Sequence, residues 1–387
     1  MNTLNHTCQG QSHIEAGKVC QDASLSLSEG GISVAIVSDG HGGARYFRSD
    51  VGSQMAVEAT RDCVMAFVRD AQPDLFAAKP FTQKQAIDSE VNSGQPTKDT
   101  ETDKALRHLF AAIIYSWHEK IQKHAQENTI SDDERKAVDP AYISDFEKGD
   151  GLEKTYGCTL MCCVVAPAYW FAFHVGDGKC IAFNCDGDWC EPIPWDDRCF
   201  LNKTTSLCDS DALDEFRYCY QGDGEFPLSV VLGSDGMDDS FGETENMVNF
   251  YVEVLKLIAR KGTGTALNEI KETLPNLSKV GSQDDMSMAL IYNDEALAAK
   301  VSQLIAWQKS NIGQQIQQVD DRISKLQGKL TALDSQLQSY QKLKIEHDYA
   351  EKDLARANQT KLSLEDKLQK LAEEEKLLVF SISFHNK

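Results

Sequence analysis

Ser33-Val34-Ala35-Ile36-Val37-Ser38-Asp39-Gly40-His41-Gly42-Gly43 is the stretch from which the fold of this chain is read. Val34 to Val37 suit a short buried strand, and the strand stops at once in a carboxylate, a glycine, an imidazole and two more glycines. Such an ending fixes Asp39, lets the Gly40 carbonyl approach a ligand closely and leaves the space above His41 open. A single Asp-Gly after a strand is an ordinary turn. Here the pattern recurs: Gly176-Asp177-Gly178 follows Tyr169 to Val175, Ser234-Asp235-Gly236 follows Val230 to Leu232, and Asp284-Asp285 precedes a last strand, Met286 to Tyr292. Gathered at one edge of a β-sandwich, these carboxylates would repel one another until cations relieved them.

The composition supports a folded protein with such sites. Apolar residues make up 41% of 387, enough for a real core. Asp and Glu number 60 against 39 Lys and Arg, a formal charge of -21, which argues against nucleic-acid and anionic-membrane partners. None of the 12 cysteines has C-x-x-C spacing, and Cys158, Cys162 and Cys163 sit in an apolar stretch, so they read as reduced core residues of a cytoplasmic protein. The N-terminus lacks the basic and apolar regions of a secretory signal. Cys158 to Val175 carries no Asp, Glu, Lys or Arg, but Pro167 interrupts it and β-branched and aromatic residues fill it, so two buried strands joined by a tight turn fit better than a membrane span.

Between these strands the periodicity turns helical over about Ala44 to Val68 and again over about Lys104 to Ala125, where Leu106, Leu109, Phe110, Ile113, Ile114 and Trp117 share a face. The polar run Gln72 to Thr102 reads as an exposed connection, and Asn128 to Lys154 as another polar stretch. Asp186-Gly187-Asp188 is a hairpin turn, and a helix is expected from Asn246 to Lys261. The class is therefore α+β.

Asp39-Gly40-His41-Gly42-Gly43, Gly157-Cys158-Thr159-Leu160, Val175-Gly176-Asp177, Ser234-Asp235-Gly236 with Asp239, and Asp284-Asp285 stand in the order and approximate spacing of the metal-dependent Ser/Thr protein phosphatases, the type 2C or PPM family. Gln21-Asp22-Ala23 resembles that family's Glu-Asp-Ala signature in the form seen in some bacterial members. The resemblance covers about residues 10 to 293. It implies a two-sheet antiparallel β-sandwich flanked by helices, with two Mg2+ or Mn2+ ions at one end. By the same resemblance Asp39 would bridge both ions, the Gly40 carbonyl would bind the second, Asp235 and Asp284 would complete the first, and Asp22 would stand behind them. Asp177 and Asp239 match the holders of a third, weaker ion, and His41 matches the general acid. The chemistry agrees: a water bridging two cations loses its proton readily, carboxylates and carbonyls select hard cations, and no Ser or Cys nucleophile is needed.

The family's phosphate-gripping Arg has Gly17 in its place. His13 and Lys18, with Arg45 and Arg48, are the candidates to replace it. Gln21 is neutral where the family is acidic, and Asp285 stands where Asn is common, adding negative charge near the site. The expected function is hydrolysis of phosphoserine and phosphothreonine proteins by a metal-bridged hydroxide. The alternatives are a catalytically weak phosphoprotein-binding or scaffolding relative and a hydrolase of small phosphate esters.

The remainder reads differently, which divides the chain into a phosphatase-like domain over 1–293 and a helical coiled-coil extension over 294–387. Ile312, Ile316, Val319, Ile323, Leu326, Leu330, Leu333, Leu337 and Tyr340 form a heptad seam, and Ala350, Leu354, Ala357, Leu364, Leu368 and Leu371 form a second after a phase slip near Lys344 to His347. Such a stripe needs a partner helix. Because the slip region has no turn residues, self-association or docking on another protein is expected in preference to a fold-back hairpin. Leu377 to Phe384 is expected as a terminal strand or packing tail, too short for a membrane anchor.

Overall fold

The structure, a computed structural model, describes residues 1–79, 81–82, 100–196, 198–199, 203–337 and 341–385. The chain forms two compact units, Met1–Cys185 with Trp189–Ala298, and Asp186–Asp188 with Ala299–Lys387.

The first unit is a sandwich of two sheets. Its strands are β1 (Asn2–Cys8), β2 (Ala23–Glu29), β3 (Ile32–Ser38), β4 (Phe81–Thr82), β5 (Leu160–Val165), β6 (Trp170–Val175), β7 (Lys179–Phe183), β8 (Trp189–Cys190), β9 (Arg217–Gln221), β10 (Ser229–Gly233) and β11 (Met286–Tyr292). One sheet has the order β1-β11-β10-β7-β8 and the other β2-β3-β5-β6-β9-β4, with antiparallel pairing throughout. The helices of this unit are α1 (Gln11–Ala16), α2 (Ser49–Asp70), α3 (Glu101–Glu127), α4 (Asp132–Ala137), α5 (Pro140–Lys148), α6 (Leu152–Thr155), α7 (Ala212–Glu215), α8 (Asp235–Phe241), α9 (Thr244–Lys261) and α10 (Thr263–Val280).

Alternation along the central strands explains their unbroken apolar sequence. Met161, Cys163 and Val165 of β5 join Ala35, Val37, Ala172, Leu232 and Ala289 in a core between the sheets. Leu160, Cys162 and Val164 face the other way, into a second core with Phe171, Phe173 and the apolar faces of α2 and α3. Both faces are covered, so both must be apolar. Trp117 of α3 donates its indole N–H to Gly52 O at 3.0 Å, locking α3 onto α2. Thr100 and Asp103 close a capping box at the start of α3, which sets where that helix begins.

The expected strand pair flanking Pro167 is β5 and β6, and the Asp-Gly-Asp hairpin joins β7 to β8. All twelve cysteines are free, with Cys158, Cys162 and Cys163 buried. The polar stretch 128–154 holds three short helices, α4 to α6. Sequence periodicity missed α10, where Pro275 inside the helix broke the pattern. The run read as an exposed connection, 72–102, lies largely outside the described residues. Among the described residues no helix is long and apolar enough to cross a membrane.

The second unit is built on α11 (Asp294–Leu337) and α12 (Gln341–His385). Here the structure corrects the expectation of a separate partner helix. Ile305, Ile312, Ile316, Leu364, Leu368 and Leu371 share one apolar cluster, and Lys361 Nζ lies 2.8 Å from Asp320 Oδ1. Ile323, Leu333, Ala350 and Ala357 are buried as well. The two seams thus cover each other within one chain, as an antiparallel hairpin. A tethered helix is present at high effective concentration, which outweighs the absence of Gly or Pro near the phase slip. Tyr340 lies outside the described residues. The expected terminal strand at Leu377 to Phe384 is instead helical backbone of α12.

Candidate metal centre

Antiparallel order brings the C-terminal ends of β3, β6 and β10 to the same edge as the N-terminal ends of β5 and β11. A cavity of about 220 Å³ opens there, lined by Ser12, His13, Gln21, Asp39, Gly40, His41, Gly42, Thr159, Asp177, Thr204, Asp235, Asp284 and Asp285. The recurring strand ends therefore converge.

Each carboxylate is held by its local backbone. The Asp39 N–H donates to Thr159 Oγ1 at 3.0 Å, the Thr159 N–H donates to Asp39 O at 2.8 Å, and Ser38 Oγ donates to Thr159 O at 2.6 Å. One residue further on, Gly40 bridges to Cys158 and the His41 N–H donates to Gly157 O at 3.1 Å. The two motifs are thus stapled together. Gly40 cannot be replaced: a Cβ there would lie 2.5 Å from Gln21 O and 2.7 Å from Ser49 O. Gly236, the second residue of α8, is equally constrained, with a Cβ position 2.1 Å from Asp285 O. This close approach seats Asp235 against the Asp284-Asp285 turn.

Asp285 lines the cavity and does more than add charge there. It is 3% exposed, and its carboxylate accepts the Gly10 and Gln21 N–H groups, both at 2.6 Å, while His13 Nδ1 lies 2.9 Å away. Its charge anchors the chain on either side of α1 and orients His13. His13, Asp284 and Asp285 offer ligand atoms within 4.8 Å of one another.

Burial and mutual repulsion shape the electrostatics. Burial first, then Asp235 and Asp22, pushes the Asp39 carboxyl well above its ordinary range. Asp22 is pushed up by burial, Asp285 and Asp235. Burial and then Asp235 push Asp177 up to about 7, and raise Asp284 and Asp239 also. Asp22 Oδ2 and Gln21 Oε1 are buried without a hydrogen-bond partner. Gln21 Nε2 is engaged with Ser49 Oγ and His41 O, which leaves its oxygen as the free atom. Crowded carboxylates with orphaned oxygens, and an oxygen donor set throughout, fit hard divalent cations.

The remaining candidates separate clearly. Asp22 is buried behind the cavity wall and Asp239 is exposed outside it. Arg48 is buried against Glu134 at 2.7 Å, with its guanidinium also on Asn128 O and Thr129 O and over the Phe146 ring. That side chain belongs to the helix-side core. Arg45 is exposed, 6.0 Å from the Tyr142 ring centroid, and Lys18 is exposed; neither lines the cavity. His13 does. Thr204 and Ser12 were not legible, since no motif marks them.

Burial pushes His41 down to about 4, against the opposing pull of Asp209 and with Lys154 adding to it. Its Nε2 lies 2.7 Å from Ser206 Oγ, and its ring meets Tyr46 edge-on.

Several solved structures resemble the chain at low identity. The serine/threonine phosphatase Stp1 from Staphylococcus aureus is 14% identical, covering 76% of this chain and 95% of its own, with a TM-score of 0.43. PppA, described as a regulatory component of the type VI secretion system in Pseudomonas aeruginosa, is 16% identical over 75% of this chain and 96% of its own, TM-score 0.43. The catalytic domain of the phosphatase PstP, solved with two manganese ions, is 13% identical over 75% and 96%, TM-score 0.42. No curated protein matches the chain. The family model for protein phosphatase 2C matches residues 9–274, more than half the chain and the whole of the carboxylate edge up to Asp239. The chain belongs to the protein phosphatase 2C family.

Proposed function

We propose that this protein hydrolyses phosphoserine and phosphothreonine in proteins, with divalent cations bound at the carboxylate edge. The observation that carries the reading is the convergence of Asp39, Asp177, Asp235 and Asp284 on one cavity with orphaned buried oxygens beside it. Asp39, the Gly40 carbonyl, Asp235 and Asp284 are the residues to hold two ions, Mg2+ or Mn2+, with Asp22 behind them and Asp177 and Asp239 for a third. When bound, such ions supply an acidified water and neutralise charge on the phosphoryl oxygens. His13, oriented by Asp285, meets the phosphate from the side where the family has Arg. His41 hands a proton to the departing alkoxide.

The phosphatase domain spans 1–293 in this reading. The helical extension over 294–387 positions it, through self-association or by docking on a partner, with the surface that the hairpin leaves outward. The reading is tested by titrating Mn2+ into wild type and into Asp39→Asn and Asp235→Asn, followed by calorimetry, with circular dichroism as the folding control. Wild type is expected to bind, and each variant to lose at least about tenfold in affinity. Unchanged binding in folded variants would contradict the site.

A further inference from the structure

Ser206 lies outside every motif that marks the site, yet it is 2% exposed beside it. Its Oγ is 2.7 Å from His41 Nε2. The serine is itself fixed from several directions. Its N–H donates to Asp209 Oδ2 at 3.0 Å, and the Asp209 N–H donates back to Ser206 O at 3.1 Å. Its Oγ accepts the Cys208 N–H at 3.3 Å and donates its own proton to Cys158 O at 3.0 Å, so toward His41 Nε2 it is the acceptor. Asp209 is held in turn by Lys154 Nζ at 2.6 Å.

The other end of the linkage is rigid as well. Gly157, which accepts the His41 N–H, and Cys158, which bridges to Gly40, form the same segment that Ser206 contacts. The backbone of His41 and the partner of its ring therefore share one support. With Tyr46 against the ring at a centroid distance of 4.8 Å, the imidazole is fixed at one nitrogen and along one side. Among the described residues no hydrogen bond engages Nδ1, and His41 lines the cavity.

We infer that Ser206 is the positioning residue for His41: by holding Nε2 it leaves Nδ1 as the nitrogen that exchanges a proton with the departing serine or threonine oxygen. The inference rests on the phosphatase reading above. In the step, the bond from phosphorus to the ester oxygen breaks and a bond from phosphorus to a water oxygen forms. The imidazole, with its Nε2–H on Ser206 Oγ, first takes a proton from solvent at Nδ1; the departing oxygen then takes that proton, and the water gives one up to solvent. The products are an alcohol and inorganic phosphate. An alkoxide is a poor leaving group without that proton, whereas nitrophenolate is a stable anion that leaves without one.

The test follows from that difference. Ser206→Ala is assayed with Mn2+ on a phosphoserine peptide and on p-nitrophenyl phosphate, alone and in a His41→Ala background. The expected result is a fall in kcat of at least about tenfold on the peptide, within the range of general-acid effects, against no more than about threefold on the aryl ester. KM for the peptide stays within about twofold, and in the His41→Ala background Ser206→Ala adds little further loss. Equal losses on both substrates, or losses that multiply with His41→Ala, would overturn the inference and assign Ser206 a purely structural part. A wild-type chain that turned over neither substrate would instead remove the phosphatase reading, and the inference with it.

Discussion

Burial raises the carboxyls of Asp39, Asp22, Asp177, Asp284 and Asp239, and Asp235 is the neighbour whose charge adds to it at all five. Asp235→Asn is expected to abolish metal-dependent turnover, a loss of at least about a hundredfold. In chelator the same variant should melt above wild type, because one repelling charge is gone; a lower Tm would show that the Asp235 carboxylate stabilises the metal-free fold more than it strains it. Glu215 gives a pH prediction away from the site. Burial, then Asp209, pushes it up to about 7 against the pull of Arg198, whose guanidinium lies 3.2 Å away. A carboxyl raised in the folded state binds its proton more tightly there than in the unfolded chain, so its ionisation destabilises the fold as pH rises from the ordinary carboxyl range through about 7. Glu215→Gln should therefore raise Tm at pH 8 relative to wild type and leave it nearly unchanged at pH 4. The opposite ordering would show Glu215 to be stabilised as an anion. Arg48→Ala, which strands Glu134 and empties the space over Phe146, is expected to destabilise by about 3 kcal/mol, read from denaturant unfolding. At this scale the convergence of Asp39, Asp177, Asp235 and Asp284 on one cavity was legible, since each stands at a strand end beside a turn. The anchoring by Asp285 was not, because its partner Gly10 lies 275 positions away and only folding brings the two together.

Elements were legible where one face or both faces of a strand or helix had to be apolar. The runs Val34–Val37 and Leu160–Val165 declared themselves as buried strands, and the face carrying Leu106, Phe110, Ile113 and Trp117 declared α3. Strand β1, with Leu4 and Cys8 its only apolar residues, carried too weak a signal, and α10 was hidden by Pro275; β2 alternates Ala23, Leu25 and Leu27 with serines and went unread although that period-2 pattern is a strand signal. In the helical unit the two seams were visible but their mate was not. Heptad spacing states that a stripe must be covered, and it says nothing about which helix covers it. Leu371, 4% exposed in the cluster with Ile305 and Ile312, is the position to probe. Leu371→Ala should cost about 2 to 3 kcal/mol, read as an earlier helical transition on heating. Its molecular weight in solution should be unchanged. A shift in oligomeric state on that substitution would mean that the seam also serves an interface between chains.

At the scale of the whole molecule, a sandwich with its carboxylates at one edge is followed by a helical hairpin with no carboxylate cluster of comparable burial among the described residues. In the proposed reading the chemistry lies in the sandwich alone. A chain ending at Ala298 is expected to fold and to retain most of its turnover of p-nitrophenyl phosphate with Mn2+; an insoluble or inactive truncation would make the hairpin part of the catalytic unit. The central claim is that the carboxylate edge is a divalent-cation centre for phosphomonoester hydrolysis. Its most direct test is release of phosphate from a phosphothreonine peptide by the full chain with Mn2+, with Mg2+ and with chelator, beside Asp39→Asn. The account predicts turnover with at least one metal, lost in chelator, restored by excess metal and absent in the variant. Turnover that persists in chelator, or none with either metal, would contradict it.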